Sequence, residues 1–381
     1  MRGLILLSLA FALALSTARA SAEEAAAAVP DPASSTAPAG PSPERFGEKS
    51  SGPAIPEPAA PKPDPAPPAA TEPSATAPTT VPATAGGASG AAGSSTPGGL
   101  NPERFGQQPD AAYGAFQRGL YVTAYNLALP RAKNGDPAAQ TLVAEILARG
   151  LGVPRDATAA ARWYALASEQ GVPEAQFQYA LMLLDGNHVN KDVNAAYALL
   201  EAAAEAGNVL AQFNFAQLIV DREPGQAGMT RAASYYERAA KAGLADAQYA
   251  MAQVYANGVG GRKRDDAAAR RWLELAARQG FDTAELDLGT WMIDGRGGAR
   301  DRKGGFNLLR RAALGGNVAA QNRLAKLYMQ GLGTDPDTVT AAAWYILARR
   351  AGLFDPEMDD FLNGLTPEET KQAIEKANRL R

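Results

Sequence analysis

The stretch DPAAQTLVAEILARGLGVPRDATAAARWYALASEQG, Asp136 to Gly171, decides the fold because its pattern returns down the chain. The Ala139-Gln140 pair reappears as Ala175-Gln176, Ala211-Gln212 and Ala247-Gln248, drifts to Ala284-Glu285, and ends at Ala320-Gln321. The closing glycine belongs to the series Gly135, Gly171, Gly207, Gly243, Gly280, Gly316 and Gly352. The step is about 36 residues, with one residue added in the fourth copy, and such a period marks a solenoid or array.

Each copy reads as a hairpin of two helices. In the second copy, Tyr179, Ala180, Met182 and Leu183 follow Gln176 at helical spacing, and the third-copy equivalents are Phe215, Ala216, Leu218 and Ile219. A glycine-bearing loop comes next, Gly150 to Arg155 in the first copy and Gly331 to Pro336 in the last, where glycine permits a sharp turn. Asp156, Asp192, Asp265, Asp301 or Asp337 then supplies an N-cap for the second helix. In that helix Ala160, Trp163 and Ala167 sit at i, i+3 and i+7 and are expected to form the packed face. The matching sets are Ala196, Leu199, Ala203; Ala232, Tyr235, Ala239; Ala269, Trp272, Ala276; and Ala341, Trp344, Ala348. The closing glycine fits a left-handed position just beyond the helix end.

Both ends of the array depart from the repeat. Ala124, Leu127 and Ala132 before Gly135 predict a lone or half hairpin, so order is expected from about Asp110. After Gly352, Asp355-Pro356 is an N-cap with proline at N1, and Met358, Phe361, Leu362 and Leu365 form a stripe. Thr366-Pro367-Glu368-Glu369 is a capping box, followed by Ile374, Ala377 and Leu380 on one face. Two capping helices over residues 354–381 are expected to cover the end of the array. The third-copy loop, Asp221 to Gly228, lacks the Gly-x-Gly spacing, which reads as simple drift, with a slight bend or a specialised loop as the alternative.

Composition narrows the chemistry. The 381 residues carry a formal net charge of −3, which gives no nucleic-acid footprint. Cysteine is absent, so disulfides and thiolate chemistry are excluded. The single histidine, His188, excludes His-rich metal sites; it stands where other copies have a loop glycine and reads as a surface residue. Arg2, the apolar run Leu4 to Leu15, and Ala18-Arg19-Ala20 form a signal-peptide pattern over residues 1–20, with cleavage expected before Ser21. The alternative is an uncleaved anchor, although the run is short for a bilayer span. Export to a bacterial periplasm is the expected address.

Residues 21–109 are dominated by Pro, Ala, Ser, Thr and Gly, a composition too poor in apolar bulk to pack and expected to be a disordered tether. Within it Pro43-Glu44-Arg45-Phe46-Gly47 recurs as Pro102-Glu103-Arg104-Phe105-Gly106. Phe46 and Phe105 read either as short docking anchors whose duplication adds avidity, or as a local duplication.

The spaced pattern Ala-Gln-x3-Ala, Gly-x-Gly-x3-Asp, Trp-Tyr-x2-Ala and closing Gly resembles the Sel1-like repeats, longer-looped relatives of tetratricopeptide repeats. The resemblance covers roughly residues 110–352 and implies an all-α, right-handed α/α solenoid. It further implies a scaffold or adaptor, with several bacterial members working in the periplasm and some regulating membrane sensors. The disulfides of the family's cysteine-rich branch do not carry over.

The resemblance also implies that first helices line the concave side. With the buried stripe at three, four and seven residues after each Gln, the opposite face falls at two, five and nine. Those positions supply the candidate partner-binding residues Gln178, Asn214, Gln217, Gln253, Asn257, Asp287, Thr290, Arg323 and Lys326. Amides can bond a peptide backbone as donor and acceptor, and the acidic middle and basic end give such a groove a direction. Phe177, Phe213, Tyr249 and Leu286, one residue after each Gln or Glu, and the four tryptophans read as packing. No nucleophile elbow, phosphate loop or metal-ligand spacing occurs, so no enzyme, cofactor or metal is expected. The expected partner is a protein or peptide in the periplasm or at the inner membrane. The rival reading is binding or hydrolysis of envelope glycan by the acidic groove residues.

Overall fold

The computed structural model describes residues 110–380; the signal-peptide pattern, the tether and both Phe46 and Phe105 lie outside the described residues. Sixteen helices and no strand occur among the described residues. A short hairpin, α1 (Ala111–Gln117) and α2 (Tyr121–Lys133), precedes six full ones. These are α3 (Pro137–Arg149) with α4 (Ala157–Glu169), α5 (Pro173–Asp185) with α6 (Val193–Glu205), and α7 (Val209–Arg222) with α8 (Gln226–Lys241). The next are α9 (Ala245–Asn257) with α10 (Asp266–Arg278), α11 (Asp282–Asp294) with α12 (Arg302–Leu314), and α13 (Val318–Gln330) with α14 (Thr338–Arg350). Two further helices close the end, α15 (Pro356–Asn363) and α16 (Pro367–Arg379).

Local sequence explains the helix boundaries. The carboxylates of Asp156, Asp192, Asp265, Asp301 and Asp337 each accept a bond from a first-turn N–H, satisfying donors that have no partner inside the helix. At the other end, Gly171, Gly207, Gly243, Gly280, Gly316 and Gly352 all have φ between 78 and 98°, where a side chain would strain the backbone. Past that glycine the chain reverses sharply. The next amide then bonds back to the alanine carbonyl of the packed face, as Asn208 N–H does to Ala203 O at 2.9 Å.

Each repeat helix packs on its chain neighbours, so the core is a succession of thin layers rather than one centre. Alanine dominates those layers: Ala160, Ala167, Ala196, Ala203, Ala232, Ala239, Ala276 and Ala348 are all fully buried. The fifth hairpin takes this further with Gly289 and Gly305. A Cβ on Gly305 would lie 2.5 Å from Gly289 O, so these two helices meet backbone to backbone.

Three expectations need correction. In the second helices the large buried side chain is the residue at i+4, not i+3: Tyr164, Leu200, Tyr236, Leu273 and Tyr345 are buried to 2% exposure or less. Trp163 and Trp272 are only half-buried, whereas Trp344 is buried. Leu127 follows the same rule, being 43% exposed while Ala128 is fully buried. On a helix of 3.6 residues per turn, i+3 and i+4 lie almost symmetrically about the Ala-to-Ala axis, so spacing alone does not choose between them.

The second correction concerns the third copy. Here α7 runs on to Arg222 and α8 starts at Gln226, leaving a three-residue turn, and Gly225 replaces the capping aspartate. The turn is specialised rather than drifted. Tyr197 Oη donates to Glu223 Oε1 at 2.7 Å, and Arg231 bonds Tyr197, Glu223 and Glu201 together across two repeats.

The third concerns the end. α16 packs directly on α14 through the fully buried Ala373 and Ala377, leaving Ile374 41% exposed. α15 contributes only Met358 to the core.

Candidate functional site: the first-helix face

Two polar rows run along the first helices. The inner row is the repeated Gln. Gln140, Gln212 and Gln248 are 4–5% exposed, and each Nε2 donates to a carbonyl eight residues earlier, at the end of the preceding second helix. Gln176 and Gln321 do the same with Ser168 and Ala313. Each of those carbonyls already accepts the N–H of the closing glycine three residues on, and the amide adds a second bond that joins one repeat to the next.

In the fifth copy Glu285 cannot donate, and Arg311 takes over. Its Nη2 bonds Ala277 O at 3.0 Å, the equivalent carbonyl, while its Nε pairs with Glu285 at 2.6 Å. Glu285 is 3% exposed, so this guanidinium is what makes its charge tolerable. The equivalent Arg238 makes the same carbonyl bond in the third copy beside Gln212, so in the fifth copy the arginine carries alone a joint that is shared there.

The outer row holds the candidate partner-binding residues, and the structure treats them unequally. Asn214 Nδ2 donates to Leu210 O, Asn257 Nδ2 to Gln253 O, and Thr290 Oγ1 to Leu286 O, each one turn back. Gln253 Nε2 and Tyr249 Oη both donate to Asp287 Oδ2, at 3.2 and 3.0 Å. Gln178 and Gln217 have no hydrogen-bond partner among the described residues, and Gln217 is nevertheless only 7% exposed. Asn214, Gln253 and Asn257 each spend one amide N–H and keep the second together with the carbonyl oxygen, so the middle of this face presents both acceptors and donors.

Asp287 sits within this stretch. Burial pushes its carboxyl above the usual carboxylate range, against the bonds from Tyr249 and Gln253 that favour the charge. Burial and the adjacent carboxylate push the Tyr249 hydroxyl up as well. Tyr249 is the functional-face residue that pattern reading assigned to packing; its ring does pack, 5.3 Å from Phe281. The available signal was its hydroxyl, since the same position is Phe177, Phe213 and Leu286 elsewhere.

Arg323 and Lys326 behave differently again. Lys326 Nζ pairs with Asp355 at 2.8 Å and Glu357 at 2.6 Å, both at the start of α15. Arg323 Nε is buried without a hydrogen bond. The other half-buried aromatic, Trp291, carries the Arg296 guanidinium over its ring at 3.8 Å. His188 is exposed in its loop. Among the described residues no cluster of His, Cys, Asp or Glu could hold a metal ion, and no helix is long and apolar enough to cross a membrane.

The architecture defines an all-α solenoid of helical hairpins, carrying a polar face of non-repeating residues on a repeating frame. A family model, the Sel1 repeat, matches residues 137–172, 173–208, 226–244, 245–281, 283–317 and 318–353, and the chain belongs to that family. The partial match in the third copy coincides with its altered turn. Among solved structures, a Sel1 repeat protein from Oxalobacter formigenes superposes with a TM-score of 0.56 at 25% identity, covering 65% of this chain and all of its own. A protective antigen of uropathogenic Escherichia coli displaying an SLR fold gives 0.60 at 24% identity, covering 71% of this chain and 60% of its own. A chitin synthase regulatory factor of Schizosaccharomyces pombe is 32% identical over 100 residues. That match spans 26% of this chain and 11% of the yeast protein. Sel1-repeat proteins mediate protein–protein interaction and form a family of non-enzymatic scaffolds.

Proposed function

We propose that this chain is an exported scaffold that holds a protein or peptide partner of the cell envelope against the first-helix face of repeats two to five. In this reading it regulates a membrane sensor or an envelope complex. The observation that carries the proposal is Gln217: an amide 7% exposed, with no hydrogen-bond partner among the described residues, in the middle of the face. Its amide is engaged by no group of the frame and still reaches solvent, so both its N–H and its carbonyl oxygen are open to a bound backbone. Gln178, Asn214, Gln253, Asn257 and Thr290 flank it, and their unused acceptors match the N–H groups of an extended chain. The signal-peptide pattern at residues 1–20 supports export to the periplasm.

The test is crosslinking in cells from position 178 or 217, followed by identification of the captured protein. Capture should fall at least about tenfold in Gln217→Ala/Gln253→Ala, and unchanged capture would sink the proposed face. Sugar hydroxyls are donors too, so envelope glycan is the second reading. Retention on purified cell-wall glycan that disappears in Asp287→Asn/Asp294→Asn would select it. The export component is checked separately, by recovery in the osmotic-shock fraction with Ser21 as the new N-terminus.

A further inference from the structure

The basic end of the first-helix face is already occupied, by the chain itself. Asp355, the N-cap of α15, accepts bonds from Asn322 Nδ2 at 2.8 Å and pairs with Lys326. Tyr345 Oη clasps the backbone of the same residue, donating to Asp355 O at 3.0 Å and accepting from its N–H at 3.2 Å. Glu357 takes the second Lys326 bond, and Asp359 lies 3.3 Å from Arg349 Nε. Met358 is fully buried among the apolar side chains of the last hairpin. The occupant is thus an acidic turn of helix with one flexible apolar anchor.

Three features make this occupant exchangeable. α15 has eight residues and buries only Met358 fully, with Phe361 and Leu362 half-buried against the same cluster, a small hold for so short a helix. The elements on both sides are fixed without it: α16 is seated on α14 by Ala373 and Ala377, and Arg350 bonds Asn378 while Lys376 pairs with Asp337. α15 can therefore leave while the end of the array stays covered. Finally, the fit is incomplete, because Asn322 Oδ1 and both carboxylate oxygens of Asp359 are buried at this junction without hydrogen bonds.

We propose that α13 and α14 form a binding site for an acidic helical segment with a methionine-like anchor, and that α15 fills this site in cis until a partner segment displaces it. Asn322, Arg323, Lys326 and Arg349 read the carboxylates, and the Met358 cavity takes the anchor. Arg323 and Lys326 continue the same outer row that carries Asn214 and Gln217. A partner lying along that row meets amides and the Asp287 carboxyl first and cations last, which sets its direction. This inference rests on the first-helix face being the partner surface.

The experiment uses the full chain and a labelled synthetic peptide spanning Leu353 to Leu365. A release variant, Glu357→Gln/Met358→Ser, should bind the peptide at least about tenfold more tightly than the unaltered chain, because the cis competitor is weakened. Adding Lys326→Glu to the release variant should remove most of that binding, and added salt should weaken it. Equal peptide binding by the unaltered and release chains, or indifference to Lys326→Glu, would overturn the proposal. Hydrogen exchange on the unaltered chain decides it independently of any variant's folding. Residues 356–363 should exchange faster than both α14 and α16, and protection equal to α14 would refute an exchangeable helix. Neither readout involves the envelope partner, so failure here is distinguishable from failed capture at Gln217.

Discussion

The inner and outer rows of the first helices carry the same amide chemistry and do opposite work. Gln212 and Gln217 stand five residues apart on one helix and are 5% and 7% exposed. Gln212 reaches the end of the preceding second helix and donates to Ala204 O at 3.1 Å. Gln217 reaches nothing among the described residues. An amide facing a helix C-terminus is a structural joint, and one facing away is left vacant by the frame, the place proposed for the partner. What separates them is whether a helix-end carbonyl lies within reach, a matter of geometry rather than residue type.

The most severe way to break this contrast is through the fifth copy. Arg311→Ala leaves Glu285 as an unpaired buried carboxylate and takes from Ala277 O the bond that joins the repeats, leaving it the Gly280 N–H. It should destabilise the array by about 3 kcal/mol, at the lower edge of values for broken buried pairs because Arg311 is half exposed. Adding Glu285→Gln restores the amide used by the other copies and should recover most of the loss in urea denaturation. Failure to recover would show that Arg311 acts by something other than this joint.

A smaller effect is expected from a single amide joint. Gln248→Ala removes the donor to Ala240 O and the acceptor for Gln279 Nε2, and should cost about 1–2 kcal/mol. An effect below the error of a denaturation curve would mean that water replaces the joint without penalty.

The pH response sharpens the same comparison on two carboxylates of the outer face. Asp287 is held above its usual range by burial, so the folded state binds its proton more readily than the unfolded state. Its contribution is fully present below the ordinary carboxylate pKa and is lost as pH rises through the raised folded value. Burial also works against the Asp355 carboxylate, but bonds from Lys326 and Asn322 outweigh it and hold it below the usual range. That contribution is present above the ordinary pKa and is lost as pH falls through the lowered folded value. Asp287→Asn should therefore remove a decline in stability with rising pH, and Asp355→Asn a decline on acidification. Melting curves across the acid range check both signs.

The smallest stability effect belongs to the vacancy. Gln217→Ala should shift folding stability by no more than about 0.5 kcal/mol in either direction, since it breaks no hydrogen bond within the described residues. A large loss would reassign Gln217 to the joints.

Much of the frame was legible because it depends on local rules. Aspartate caps and closing glycines satisfy backbone groups within a few residues of themselves, so Asp192 and Gly207 could be read without knowing any neighbour. The packed residue of the second helices was misread because Trp163 and Tyr164 lie equally near the Ala160–Ala167 axis. Only the adjoining hairpin selects one. The third-copy turn was misread for a similar reason, since the partners of Arg231 lie in two repeats. The outer row was placed on the first helices by periodicity. Which of its members are spent could not be seen, because Lys326 meets Glu357 across 31 residues and Gln253 meets Asp287 across 34.

The sequence by itself determined that residues 110–380 build a stack of helical hairpins, since a recurring pattern of caps, turns and small residues can bury its apolar faces only by stacking. The tertiary structure alone decided which polar groups remain available. Gln212 and Gln217 are the same residue type on the same helix, and Lys326 and Arg323 are neighbouring cations on another. Their fates diverge because hydrogen bonds and ion pairs depend on what lies within about 3 Å in space, and that environment is assembled from residues a full repeat away.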